Sequence, residues 1–276
     1  MLVAALNGNR IEADIAERGL AYVCPECERP VILKRGRIKI AHFAHKPPTD
    51  CTWAKGETQA HLESKKLFRD SFVSRGLRVE VEFVVQSLPN DRRADVMVWS
   101  PSQVRAAIEL QHSNIGIEAI ENRAFSYARE GIAQAWIPFL KPKYMAQAER
   151  QRGGSEGDFL IRRYPARPFE RWAHAFHRKR LWFYDSKQKK LWRGRFKSHE
   201  IWVDYSYRYS MEGEEISVGG YSYVSKRWKE LTLWGPYTVD QIRLKIERRD
   251  AWRTSLYRVP AGRVARFIIE QESNSQ

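Results

Sequence analysis

Residues Arg92–Ser113 read RRADVMVWSPSQVRAAIELQHS, two apolar runs about a Ser100-Pro101-Ser102 turn. Asp95 opens the first run, and the second carries Glu109 and Gln111 two residues apart. Side chains alternate between the faces of a strand, so Ile108 and Leu110 point one way and Glu109 and Gln111 the other. Packing a sheet asks for none of Asp95, Glu109 and Gln111 among Val, Ile and Leu. Antiparallel pairing of the two runs would bring their polar groups to one sheet edge. There the carboxylates can hold a hard divalent cation, Mg²⁺ or Mn²⁺. The plainer reading is a half-buried strand pair with these residues facing solvent, and the flanking segments weigh against it.

On the N-terminal side, Glu57–Ser74 (ETQAHLESKKLFRDSFVS) has helical spacing. At 100° per residue Glu57, His61, Phe68 and Phe72 fall close together on the wheel. If Phe68 and Phe72 face the core, Glu57 and His61 face inward beside the carboxylate pair, as metal ligands or a proton relay. A helix-dipole role for Glu57 and a satisfied half-buried His61 form the alternative. An alternating strand, Arg78–Gln86, follows, then a Pro89-Asn90-Asp91 turn into the Asp95 strand. Beyond Ser113, Ile115–Glu130 reads as a second helix with Arg123 and Tyr127 one turn apart and Gly131 past its end. Ala133–Leu140 is a buried strand. The order is helix, three strands, helix, strand.

The N-terminal segment reads as a small β-rich module over residues 1–55. Met1–Ala13 forms a hairpin about Asn7-Gly8, the connection that right-twisted strands prefer. A second hairpin is expected between Val31–Lys34 and Arg37–Ala41 about Gly36. Cys24 and Cys27 make a CxxC knuckle, followed by His42, His45 and Cys51. Five candidate ligands for a tetrahedral site that takes four predict structural Zn²⁺, with Cys24, Cys27, His45 and Cys51 preferred and His42 left over. Three cysteines within one short segment cannot all pair, and they suit a metal site in a reducing compartment better than a disulfide framework.

Roughly +13 of the net +15 charge lies after Lys141. Such an excess points to a polyanion partner, most often nucleic acid. Lys141–Asp158, rich in Gly and polar residues, reads as a linker to a C-terminal domain over 159–276. In that domain Trp182, Trp192 and Trp202 recur every ten residues in short strand-like runs among Lys and Arg. They either stack on bases in a DNA platform or fill a small core; core is the expected place for most of them. Thr238 to Gln241 fits a capping box opening a basic helix, Val239–Arg249. No apolar run is of spanning length and the start lacks a signal-peptide pattern, so the expectation is a cytoplasmic protein with no membrane partner.

MLVAALNG, YVCPEC, HFAH, ETQAHLESKK, RADV and IELQHS, in this order over about residues 1–140, resemble the competence protein CoiA-like nuclease family. That family falls in the PD-(D/E)XK nuclease superfamily, whose core has the same helix–strand order. The resemblance implies an α/β (α+β) nuclease core over 56–140 that hydrolyses DNA with Mg²⁺ or Mn²⁺, in processing or recombination of incoming or foreign DNA. It also implies Asp95 and Glu109 as metal-binding carboxylates, Gln111 in the last motif position, and Glu57 and His61 as the extra position on the first helix. Most of the superfamily has Lys where this chain has Gln111, an exchange that CoiA-like sequences share. A neutral amide brings no charge for the transition state, so Lys65, Lys66 or Arg123 is expected to reach in and touch the nucleic acid. A non-catalytic DNA-binding protein that recruits a recombinase is the alternative, and an RNA-processing nuclease a third reading.

Overall fold

The computed structural model describes residues 1–51, 53, 57–87, 91–209 and 211–270. Pro89 and Asn90, expected in the turn before the Asp95 strand, lie outside the described residues. An N-terminal sheet comes first: β1 (Val3–Leu6), β2 (Asn9–Glu12), β3 (Tyr22–Val23), β4 (Pro30–Lys34) and β5 (His42–His45), in the spatial order β2-β1-β3-β4-β5. The β1–β2 hairpin turns through Asn7 and Gly8, both at positive φ. The second hairpin differs from expectation. β4 pairs with His42–His45, Val31 opposite His45, and not with Arg37–Ala41. Ile38 is 93% exposed and has nothing to pack on, so the apolar content of that stretch drives no pairing.

Next come α1 (Gln59–Val73), β6 (Arg78–Val85), β7 (Arg92–Trp99), β8 (Arg105–Gln111), α2 (Ile117–Arg129) and β9 (Ala133–Pro138). The Thr58 hydroxyl accepts the His61 amide at 3.3 Å and caps α1, and Gly76 supplies the left-handed residue after its end. β8 lies between antiparallel β7 and parallel β9. It is buried on both faces, which is why it reads as an almost unbroken apolar run. Ile108 and Leu110 pack with Leu62, Phe68 and Phe72 of α1, and Ala107 packs with Ile120, Ala124 and Tyr127 of α2.

The chain continues through α3 (Pro142–Met145), β10 (Glu149–Arg150), β11 (Phe159–Tyr164), α4 (Pro168–Phe176), β12 (Leu181–Asp185), β13 (Lys190–Val203), β14 (Ser206–Tyr209), β15 (Glu215–Val218) and β16 (Tyr221–Tyr237). β10-β11-β16-β13-β12 form a second sheet. Trp182 and Trp192 are buried in it, while Trp202 is 56% exposed toward the end of the long β13–β16 arm. The side chains of Phe169, Trp172 and Phe176 place α4 in one core with both sheets.

The last elements, β17 (Ile242–Arg249), β18 (Trp252–Arg253), β19 (Arg258–Val259) and β20 (Gly262–Ile269), correct two expectations. First, the Thr238/Gln241 capping box is made, but it closes a single turn that passes into β17 and not into a basic helix. Ile242, Leu244 and Ile246 carry a period of two, and β20 pairs with them residue for residue. Second, β20 pairs in parallel with β9, giving a six-stranded sheet β17-β20-β9-β8-β7-β6. The boundary drawn at 141–158 therefore does not divide the chain into independent sheets, because the end of the chain completes the sheet that holds Asp95 and Glu109.

Candidate active site and metal centre

β6 and β7 carry a local irregularity at the expected site. Val79 and Val81 pack into the α1-side core, but Phe83 and Val85 pack into the α2-side core. The faces exchange at Glu82, a non-glycine residue at φ +53°. On the partner strand the exchange falls at Asp95, with Ala94 in one core and Val96 and Val98 in the other. The register on either side is continuous, Val81 with Val96 and Phe83 with Ala94. A left-handed non-glycine residue costs about 1–2 kcal/mol. Here it turns two carboxylates toward α1.

What they meet is an ion cluster. Asp95 Oδ2 lies 3.2 Å from His61 Nε2, and His61 Nδ1 lies 3.4 Å from Glu57. Asp95 Oδ2 also accepts the Leu110 amide at 2.9 Å, which ties it to β8. Lys65, wholly buried, donates to Glu57 at 2.6 Å and contacts Glu82. Arg93 approaches Glu57 and Glu82 at 3.7 and 3.9 Å. Burial opposes charge on His61, yet the adjacent Asp95 and Glu57 raise its pKa to about 9. Burial would lift Asp95, but the His61 charge and hydrogen bond draw it down to about 2. Glu57 is held low against its own burial, chiefly by Lys65.

One ligand atom from each of Glu57, His61 and Asp95 falls within 4.8 Å of the others. Glu109, expected to pair with Asp95, lies outside that group and is 1% exposed. It accepts the Tyr127 hydroxyl at 2.5 Å and sits 3.3 Å from Arg123. Burial lifts it to about 7, with Arg123 pulling the other way.

A groove of about 310 Å³ opens over the cluster, lined by Glu57, His61, Arg93, Asp95, Gln111 and Arg123, together with His112. Gln111 donates to Ser113 O at 2.7 Å, and its amide oxygen can act as an acceptor. Of the three cations expected to reach in, only Arg123 does so. Lys65 is 0% exposed beneath the site and cannot meet a nucleic acid, and Lys66 turns away to Asp14 at 2.8 Å. Arg93 also lines the groove. Glu82, Arg93 and His112 were not anticipated. Glu80 and Glu82 alternate identically in RVEVEFVV, so nothing in the sequence separates the outward carboxylate from the buried one.

The chemistry suits a cation. Glu57 Oε2 and Glu109 Oε2 are buried and accept no hydrogen bond, with the N-terminal ammonium 3.5 Å from the first and Arg123 3.3 Å from the second. Carboxylate oxygens with one imidazole form a donor set that takes Mn²⁺ readily and Mg²⁺ less so.

The N-terminal sheet gathers a second group. Cys24, Cys27, His45 and Cys51 place ligand atoms within 4.8 Å of one another. Cys24 and Cys51 sulfurs lie 3.9 Å apart, and Cys27 Sγ lies 3.3 Å from His45 Nε2. The knuckle is closed by Glu28, at φ +55°, whose amide donates to Cys24 O. His42 stands apart, with Nδ1 against Ile40 O at 2.9 Å, so the group of four is the preferred set and His42 is the residue left over. Three cysteines and one histidine form a possible tetrahedral metal site of zinc type. No helix among the described residues is long and apolar enough to cross a membrane.

Comparison with known proteins places these two sites in separate family domains. Residues 7–54 match the family model of the competence protein CoiA N-terminal domain, and residues 57–199 that of the competence protein CoiA nuclease-like domain. Competence protein CoiA of Bacillus subtilis (strain 168) is 27% identical over 117 residues, 42% of this chain and 31% of that protein. The match thus spans about a third of that relative's length. The crystal structure of a protein of unknown function, AF1548, aligns over 30% of this chain and 48% of its own at 14% identity and a TM-score of 0.24.

Proposed function

This chain belongs to the competence protein CoiA family, and we propose that its nuclease-like domain hydrolyses phosphodiester bonds in DNA with a divalent cation on a PD-(D/E)XK scaffold. The observation that carries the reading is the convergence of Glu57, His61 and Asp95 within 4.8 Å in an open groove walled by Arg93 and Arg123. A protein that only holds DNA has little use for carboxylates there, since they repel phosphate. Asp95 and Glu57 would hold the cation, and His61 would join them by releasing to solvent one of the two N–H protons that now face Glu57 and Asp95. When bound, the cation supplies a water of lowered pKa and offsets charge on the scissile phosphate. Gln111 accepts a hydrogen from the attacking water and so orients it. Arg123 and Arg93 receive the charge that develops on the phosphate oxygens, a task that lysine in the Gln111 position would otherwise share. Glu109 holds Arg123 in place from behind. Zn²⁺ in the cysteine cluster is structural.

The biological setting that fits is processing of incoming or foreign DNA, handing product to a recombinase. A second reading, a non-catalytic DNA-binding accessory protein, is favoured by Gln111 alone. The test is a panel of labelled duplex, single-stranded, nicked and branched DNA and RNA, incubated with Mg²⁺, with Mn²⁺ and with neither. Cation-dependent cleavage of DNA, faster with Mn²⁺, is expected. Binding without cleavage under every condition would favour the accessory protein, and cleavage of RNA alone would correct the substrate.

A further inference from the structure

A second basic groove, of about 450 Å³, lies on the sheet formed by β12, β13 and β16. It is lined by Arg178, Lys179, Arg180, Arg193, Arg195 and Trp234, and no carboxylate contributes to its wall. Arg178, Lys179, Arg180 and Arg195 are exposed, and among the described residues none of these four has an ion-pair partner. Three of these charges act on neighbouring groups. Burial and Arg178 together lower Arg249 to about 10, and Lys179 and Arg195 both disfavour charge on His174.

Two of these cations sit on a left-handed turn at the end of α4. Arg178 and Lys179 follow α4 at φ +53° and +65°, two consecutive residues in a region that glycine enters more readily. Cations are favourable at a helix C-terminus, which explains one or two of them. The dipole does not explain Arg193 and Arg195, which come from β13. Arg193 stacks over the Trp234 ring at 5.2 Å, and that indole is anchored to Gly154 O at 2.6 Å.

We propose that this groove is a phosphate-backbone site for nucleic acid, separate from the catalytic groove and binding the same strand. Concavity, guanidinium groups from two segments of the chain and an indole ring among them match a sugar–phosphate chain. An anionic membrane would call for a protruding apolar surface, which this groove lacks. The two grooves are also linked through the fold. β12 starts directly after Arg180 and carries Tyr184, whose ring meets Phe139 at 5.2 Å, and Phe139 meets His61 at 6.3 Å. Four strand steps of about 3.3 Å and the two ring contacts make a path of roughly 25 Å. About seven nucleotides cover that length at 3.4 Å each in a duplex. The proposal rests on the nuclease reading for the identity of the strand, and its test needs no cleavage.

The test is fluorescence anisotropy of a labelled DNA oligonucleotide with the full chain, without added Mg²⁺ or Mn²⁺, over a range of salt. Arg178→Gln/Lys179→Gln/Arg195→Gln is expected to weaken binding at least tenfold and to reduce the slope of log K against log [salt] by about two to three. Arg178→Lys/Arg195→Lys should keep the wild-type slope. Lys34→Gln/Lys39→Gln/Lys46→Gln removes the same charge from the N-terminal module and should also leave it unchanged. This readout needs neither cation nor cleavage, so failure of the nuclease reading is seen separately, in the cleavage assay. An unchanged slope in the groove variant, an equal loss in the Lys34/Lys39/Lys46 control, or preference for anionic vesicles over the oligonucleotide would overturn the proposal.

Discussion

Lys65, with no exposed surface, is held between Glu57 at 2.6 Å and Glu82, itself wholly buried and at a left-handed φ. The lysine is thus an internal counter-ion for a carboxylate that the strand had to be bent to place. Burial opposes its charge, and Glu82 and Glu57 more than restore it.

Removing that counter-ion leaves two buried carboxylates facing each other. Lys65→Met should cost about 3–5 kcal/mol in denaturant unfolding, as expected when one partner of a buried pair is lost. Adding Glu82→Gln should recover a large share of the loss. A loss under about 1 kcal/mol in the single variant, the scale of an exposed pair, would show that the cluster is not a unit.

The cysteine cluster makes a prediction about composition. Purified protein is expected to carry one zinc per chain by elemental analysis, and Cys24→Ser or Cys51→Ser to carry none. Burial pushes the Cys24 thiol up to about 12, so without a metal it stays a buried neutral thiol and not a ligand. Chelation should lower the thermal midpoint and expose the β1–β5 sheet to proteolysis before the six-stranded sheet. Metal-free wild-type protein of unchanged stability would contradict the assignment.

α4 carries a pH dependence. His177 accepts the Trp136 amide from the six-stranded sheet at 3.0 Å, and His174 accepts the Phe196 amide from the second sheet at 3.1 Å. Only neutral imidazoles can do so, and burial first, then nearby cations, lower them to about 3 and about 4. In the unfolded chain both take up protons near pH 6.5. The folded form gives up stability as pH falls from about 6.5 toward these values, because the unfolded state then binds more protons. Denaturant unfolding at pH 7.5 and pH 4.5 should show this loss. His174→Gln/His177→Gln should flatten the difference.

The legible portion of this chain was the portion with a period. α1, β6, β7, β8, α2 and β9 follow from apolar spacing, and the cysteine cluster follows from ligand type and separation. The rest depended on long-range pairing. Nothing local tells Ile242–Arg249 to join β20 and, through it, β9, because the partner lies at the other end of a long excursion through the second sheet. The site was legible in its members and less so in its grouping. Asp95, Glu57 and His61 converge, whereas Glu109 points to Tyr127 and Arg123 on the α2 side. That difference arises from the exchange of faces at Glu82 and Asp95, a left-handed residue that strict alternation does not foresee.

Arg123 is placed to test how the site replaces a lysine. Arg123→Lys keeps a charge near Glu109 but not the planar fork, and should cleave about tenfold more slowly with Kd for DNA nearly unchanged. A variant that binds less and cleaves at the wild-type rate once bound would make Arg123 a binding group only.

The most direct measurement is single-turnover cleavage of a labelled DNA by the zinc-loaded protein in Mn²⁺, wild type beside Asp95→Asn. The account predicts cleavage by the wild type and a loss of at least about 10³-fold in the variant, with folding and DNA affinity retained. Equal rates in the two proteins would contradict a catalytic centre at Glu57, His61 and Asp95.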